Sequence, residues 1–247
     1  MRGAEPARDG KKLMRRVLLI LFVAFAPSAA QAQSCPQPLA SAHRLVLLVP
    51  DTMSNTTATL RQFERATPAS PWRALGGPAH ALIGHHGVGW AHAFAQFAQA
   101  GEPAKIEGDK RTPAGFFSIG PSFGFAVSSR RGYLRIAEGL TCVNDLSSPA
   151  YNTVTTRAKI GWQVHGENMW RVPEYARGLL VDYPTDRRAH AGSCIFVHLR
   201  RPGATGTSGC IALPERQVVA LQDFARGSAV LAVLPKQALG RFRGCLP

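Results

Sequence analysis

The chain has 247 residues, 45% of them apolar, with 24 Gly and 18 Pro. That length holds one large β domain or two small ones, the apolar fraction suffices for a core, and the glycines and prolines imply many turns. The formal charge of +14 suits a polyanionic surface, but no interleaving of aromatic and basic residues like that of RNA-binding strands is present, so nucleic acid is not the expected partner.

The N-terminus reads as a secretory signal peptide over residues 1–32. Lys11-Lys12 and Arg15-Arg16 form a positive segment, ten apolar residues run from Val17 to Ala26 before Pro27, and Ala30-Gln31-Ala32 is a small-x-small cleavage pattern. Ten residues are too few to cross about 30 Å of hydrocarbon, so no stable membrane span is expected after cleavage. Met14 is an alternative start, and Arg15-Arg16 leaves general or twin-arginine export open. Without residues 1–32, which hold six basic and two acidic side chains, the charge is +10. In an exported chain that charge points to cell-wall or outer-surface material. Residues 33–43 then form an N-terminal segment and residues 44–247 a single domain.

In chain order, residues 44–49 (RLVLLV) read as a first strand and residues 59–66 as a strand or short helix. Residues 81–83 are a short strand before the turn Gly84-His85-His86-Gly87, and residues 90–100 are ambiguous between helix and hairpin. Residues 115–119, 133–136 and 160–164 are short apolar or alternating runs between turn residues, and residues 179–182 and 193–199 continue the pattern. A helix is expected with Pro214 at its first position, Glu215 next, an apolar stripe of Val218, Val219, Leu221 and Phe224, and Gly227 closing it. Residues 229–234 read as a last strand. The expected fold is mainly β, a β-sandwich or open barrel with one or two flanking helices.

Five cysteines are present: Cys35, Cys142, Cys194, Cys210 and Cys245. Export permits disulfides, and an odd count leaves at least one thiol over. If Cys210 is that thiol, three full pairings remain open. Cys35 and Cys245, near the two ends of the exported chain, are plausible staples; Cys194, in an apolar run, is alternatively a buried inert thiol.

The chemistry concentrates between His198 and Cys210, twelve positions apart across the Gly-rich loop Pro202-Gly203-Ala204-Thr205-Gly206-Thr207. A cysteine and a histidine brought within hydrogen-bond reach are the minimum for a thiolate nucleophile and its base. Ser208 and Gly209 complete the loop, and the Gly209 and Cys210 amides are expected to face a developing oxyanion. Arg200 and Arg201 are expected to lower the thiol pKa or to hold a substrate carboxylate. His165, 45 residues from Cys210, is the second candidate base, and Glu167 and Tyr175 are candidates to line the site. Among the other histidines, His80, His85, His86, His92 and His190 show no zinc-like spacing, so no metal is expected.

The segment from His198 to Cys210 resembles the L,D-transpeptidase (YkuD-like) catalytic domain, whose signature is a histidine, a spacer and then Ser/Thr-His-Gly-Cys. His198, Thr207, Gly209 and Cys210 match; Ser208 replaces the second histidine and the spacer is shorter, as in a branch with Thr-x-Gly-Cys. Upstream, Gly108-Asp109-Lys110-Arg111-Thr112-Pro113-Ala114-Gly115 is similar to the family's Gly-Asp-x-x-Thr-Pro-x-Gly turn. Phe123-Gly124, Asn144-Asp145, Tyr151-Asn152 and His165-Gly166 extend the likeness across residues 44–234. The resemblance implies an L,D-transpeptidase-type β fold acting on peptidoglycan stem peptides in the periplasm or wall of a bacterium; a monomer is expected, though the sequence does not reveal the oligomeric state. Cys210 would form a thioester, His198 would move the protons, and no cofactor would be needed. An amine acceptor gives a crosslink; water gives carboxypeptidase or endopeptidase activity. A non-catalytic wall-binding module is the reading from a different class.

Overall fold

The computed structural model describes residues 1, 3, 4, 35–226 and 229–247. Apart from three residues, the expected signal peptide lies outside them, as does Gly227.

The strands are β1 (Arg44–Val49), β2 (Thr57–Glu64), β3 (Arg73–Leu82), β4 (Val88–Trp90), β5 (Thr112–Gly124), β6 (Leu134–Arg135), β7 (Leu140–Val143), β8 (Val154–Thr156), β9 (Gly166–Asn168), β10 (Arg177–Asp182), β11 (Phe196–Leu199), β12 (Ile211–Leu213) and β13 (Val230–Val233). The α-helices are α1 (Arg157–Ile160) and α2 (Glu215–Phe224), joined by short 3-10 segments such as His92–Phe97 and Pro173–Ala176. Eight strands close on themselves in the order β1-β2-β3-β12-β11-β10-β5-β13 and back to β1, with β4 and β6 added alongside β5. Most ring contacts are antiparallel; β1 with β13 and β11 with β12 are parallel. The fold is therefore mainly β and barrel-like, with the ring closed where a sandwich or open barrel was expected.

Closure follows from β5. It runs thirteen residues, long enough to pair with β13 at one end and β10 at the other. A bulge between Leu179 and Val181 bends the β10 pairing, which is how a sheet turns a corner. Gly115 in β5 has φ +146, and a Cβ there would stand 2.2 Å from the Phe94 ring. Phe94 breaks the His92–Phe97 segment with φ −123 and drops its ring edge-on to Phe116 and Phe117. Of the two alternatives for residues 90–100, the helical one holds in part: His92–Phe97 is a kinked 3-10 helix whose Phe94 ring enters the barrel core.

A second, smaller core of Phe123, Ile136, Cys142, Met169, Tyr175 and Phe196 lies under a separate three-stranded sheet, β8-β7-β9. The expected strand at 160–164 is corrected here. Arg157, 7% exposed, sends its guanidinium to the carbonyls of Gly161, Val164 and Gly166 and to Asn168 Oδ1. One side chain satisfies the loop's backbone, so no ladder is needed. Pro214 is also displaced: it sits before α2 with φ −56 and ψ 149, extended rather than helical.

The disulfides are Cys35–Cys245, linking residues 210 apart, and Cys142–Cys194, linking β7 to the segment before β11. Cys210 is the free cysteine. Cys194 is thus neither in a strand nor a free thiol. Among the described residues no helix is long and apolar enough to cross a membrane.

Candidate active site

Cys210 ends the loop that joins the parallel strands β11 and β12, and the barrel holds that loop by its backbone. Thr207 donates its N–H to the Ile83 carbonyl and accepts from His85 N–H, both at 2.8 Å. The Thr207 hydroxyl donates to the Cys210 carbonyl at 2.6 Å, and the Thr112 hydroxyl reaches the same oxygen at 3.4 Å. Thr112 also accepts the Gly84 N–H at 2.9 Å. The Gly-Asp-x-x-Thr-Pro turn is therefore a brace for the cysteine loop. Asp109 shapes that turn by accepting the Ile106 and Arg111 amides and the ammonium of Lys105, which is buried.

Gly209 has φ +140, and a Cβ there would press on the Arg111 carbonyl at 3.0 Å and on Ile195. Its N–H is not aimed at an oxyanion, because it donates to the Thr207 hydroxyl at 3.1 Å. The Cys210 amide takes no part in the loop's backbone hydrogen bonds. Ser208 is exposed at the rim.

A cleft of about 540 Å³ opens over the sulfur, and Glu167, Glu174, Tyr175, His198, Arg201, Thr207, Ser208 and Cys210 are among its lining residues. His198, on β11, stacks its ring edge-on to Tyr175 at 5.4 Å, and Tyr175 packs in turn on Phe123 and Phe196. Phe196 and His198 share a face, as strand alternation requires. His198 Nδ1 lies 2.8 Å from the Leu199 carbonyl. A carbonyl only accepts, so Nδ1 carries the proton and Nε2 presents its lone pair. Burial lowers the His198 pKa, with the Leu199 hydrogen bond and the Glu174 charge opposing it and Arg201 adding to it; the ring is therefore predominantly neutral at pH 7.

The sulfur has its own set of partners. It donates to the Cys194 carbonyl and accepts from the Phe196 N–H, each at 3.4 Å. Burial pushes the thiol up to about 12, the Glu167 charge pushes the same way, and the Phe196 N–H, the Tyr175 hydroxyl and Lys105 oppose it. The expected lowering by Arg200 and Arg201 is thus corrected. Arg200 is exposed and outside the cleft lining; Arg201 is ion-paired with Glu174. At neutral pH Cys210 is therefore a thiol.

Glu167 and Tyr175 meet beside that thiol. The Tyr175 hydroxyl donates to Glu167 Oε2 at 2.6 Å. Burial raises the Glu167 pKa, Tyr175 lowers it and Glu174 raises it further. His165 is elsewhere: its side chain is exposed and outside the cleft lining, and its N–H donates to Asp145. Asn152 and Tyr151 are structural, Asn152 accepting the Cys194 N–H at 2.9 Å and Tyr151 donating to Glu107 at 2.5 Å. Sequence reasoning missed Glu174, which carries no motif, and Lys105, whose only signal is its i,i+4 spacing to Asp109. Among the described residues no three His, Cys, Asp or Glu side chains converge as a metal ion requires.

No family model matches the sequence, and no curated protein matches it.

Proposed function

We propose that the chain is an exported cysteine acyltransferase of the L,D-transpeptidase type that acts on peptidoglycan stem peptides. The observation that carries this reading is the single free cysteine of five, at a cleft it shares with a neutral histidine whose proton-bearing nitrogen is already engaged. The loop motif on which the family resemblance rests is the segment that holds the sulfur.

The chemistry follows from the protonation states. Thiol and imidazole are both neutral at rest, so the proton leaves as the sulfur attacks rather than beforehand. Cys210 Sγ bonds to the carbonyl carbon between an L- and a D-centre while His198 Nε2 takes the thiol proton. The oxyanion forms near the Cys210 amide. Collapse expels an amine, which takes the proton from His198, and leaves a thioester on Cys210. A second stem's amine resolves it to a crosslink; water resolves it to a trimmed stem. The basic surface, +10 without residues 1–32, suits an anionic wall.

One observation favours a second reading. A thiol held near 12 and donating to a backbone carbonyl is also what an inert cysteine in a non-catalytic wall-binding module would have. Incubation with a carbapenem separates the two by intact mass. A stable adduct on Cys210 supports the enzyme, and no adduct over hours at neutral pH sinks it. Mass spectrometry of wall fragments after incubation then distinguishes crosslinking, trimming and cleavage.

A further inference from the structure

The two hydrogen-bond partners of the Cys210 sulfur are held by different parts of the fold. Phe196, whose N–H donates to it at 3.4 Å, belongs to β11 and is paired with Leu180 of β10, so the barrel places that donor. Cys194, whose carbonyl accepts the thiol proton at 3.4 Å, lies before β11 and outside any strand. Its backbone sits in the left-handed region at φ +56. A residue with a Cβ adopts that region at a cost and keeps it only where its surroundings impose it.

Two ties impose it here. The Cys194 side chain is bonded to Cys142 of β7. The Cys194 N–H donates to Asn152 Oδ1 at 2.9 Å, and the Asn152 amide nitrogen donates in turn to the Tyr183 carbonyl at 3.0 Å. With both ties in place the Cys194 carbonyl meets the sulfur. A carbonyl that accepts an S–H hydrogen bond stabilises the neutral thiol. Together with the Phe196 N–H it gives the sulfur two fixed points, so the direction of its S–H bond is set before a substrate arrives. Neither Cys142 nor Cys194 is among the cleft's lining residues.

We propose that the Cys142–Cys194 disulfide is a positioning element of the nucleophile, because it holds the carbonyl that orients the Cys210 thiol. It acts through that carbonyl and touches no reacting atom. The inference deepens the thiol-enzyme reading above and rests on it for its catalytic meaning.

The test compares the two disulfides. Cys142→Ala/Cys194→Ala removes the inner link and Cys35→Ala/Cys245→Ala the outer one; in each variant Cys210 remains the free cysteine. Alkylation of Cys210 by iodoacetamide is followed against pH by intact mass, with carbapenem acylation and thermal unfolding measured beside it, all rates being taken below the unfolding temperature. The outer link joins residues 210 apart and the inner one residues 52 apart, so loss of the outer link is expected to lower the unfolding temperature more. The effects on the sulfur are expected in the opposite order. Without the inner link the alkylation midpoint is expected to fall by about one unit, making alkylation about tenfold faster below it. Carbapenem acylation is expected to slow by about tenfold, because the thiol is freer but no longer aimed. Without the outer link both are expected to match the wild type; a merely structural role for the inner link would leave both at the wild-type values too. The cleft's titratable groups, His85, Glu167, Glu174, Tyr175, His198 and Arg201, and the charge of Lys105 are the same in all three chains.

Asn152→Gly removes the oxygen that holds the Cys194 N–H and keeps the disulfide, and glycine accepts the φ of +60 found there. It is expected to move the midpoint the same way by a smaller amount, and it carries the test if the inner variant does not fold. An unchanged or raised midpoint in the inner variant overturns the proposal. Acylation at the wild-type rate or above does so too, as do equal shifts in the outer variant. A midpoint that falls as expected, in a protein whose wild type never forms the carbapenem adduct, supports the hold on the sulfur and overturns only the enzyme reading.

Discussion

The two sides of Cys210 are built by different means. On the loop side its backbone is gripped by hydroxyls and amides: Thr207 and Thr112 on its carbonyl, Ile83 and His85 on Thr207. On the other side its sulfur donates to the carbonyl of Cys194, which is tied to β7 by a disulfide, and it shares its cleft with Glu167 from β9 and Tyr175 from the 3-10 segment before β10. The barrel fixes where the sulfur is; burial, with the Glu167 charge of the appended sheet adding to it, raises its pKa. Position and ionisation can therefore be perturbed separately.

The largest expected effect removes the distinction altogether. Cys210→Ser keeps the loop's backbone bonds but puts a far weaker nucleophile at the cleft, so carbapenem acylation is expected to fall below detection, with thermal unfolding little changed. Intact mass and calorimetry on one sample check both. Next is His198→Ala, which leaves Cys210 in place without its proposed general base; a loss of about 10² to 10⁴ in acylation rate is expected. His165→Ala should stay within twofold, and the reverse ranking in a pH-controlled acylation assay overturns the base assignment.

On the loop side, Thr207→Val takes away the hydroxyl that donates to the Cys210 carbonyl and accepts from Gly209. A stability loss of about 1 kcal/mol is expected, with slower acylation but an unmoved alkylation midpoint. A shifted midpoint would mean that position and charge are not separable. Alkali probes the other side. The Cys210 thiol sits at about 12 in the fold, against about 8.5 when unfolded. A raised folded pKa contributes stability that is intact below the unfolded value and is lost as pH rises through the folded one. The chain should therefore become less stable from about pH 9 upward, and Cys210→Ala should flatten that slope. Buried Tyr175, also raised, contributes in the same direction and remains.

The same division explains what could be read in advance. β1, β10 and β13 announce themselves because their apolar runs are buried in the closed ring. The loop around Cys210 is local, so His198, Thr207, Gly209 and Cys210 could be named together. The appended sheet escaped notice because its strands are three or four residues long and its backbone is held partly by Arg157, a tertiary contact without a pattern. β3 spans ten residues, but only its last few carry a strand pattern; Gly76, Gly77 and Pro78 hide its exposed half. Glu167 and Tyr175 could be proposed as site residues, but their hydrogen bond could not, since it depends on how β9 approaches β11 through β7 and the Cys142–Cys194 link. The thiol's charge state is hidden in the sequence for a related reason. Adjacent arginines in sequence suggested a thiolate, whereas in space Arg200 turns to solvent and Arg201 to Glu174.

Those arginines yield the smallest effect. Arg200→Ala should leave the alkylation midpoint of Cys210 unchanged, because an exposed guanidinium is screened by water and does not face the sulfur. Arg201→Ala acts one step further in. Its loss frees the Glu174 carboxylate, whose pKa the Arg201 hydrogen bond holds down, so that pKa rises toward the ordinary range. Removing the cation also removes a charge that lowers the His198 pKa while leaving Glu174 to raise it. The pH profile of acylation should accordingly move its acid limb slightly upward, while the alkylation midpoint stays put. If the midpoint moves with Arg201 and not with Glu167, the charge of the nucleophile is set from the loop side after all.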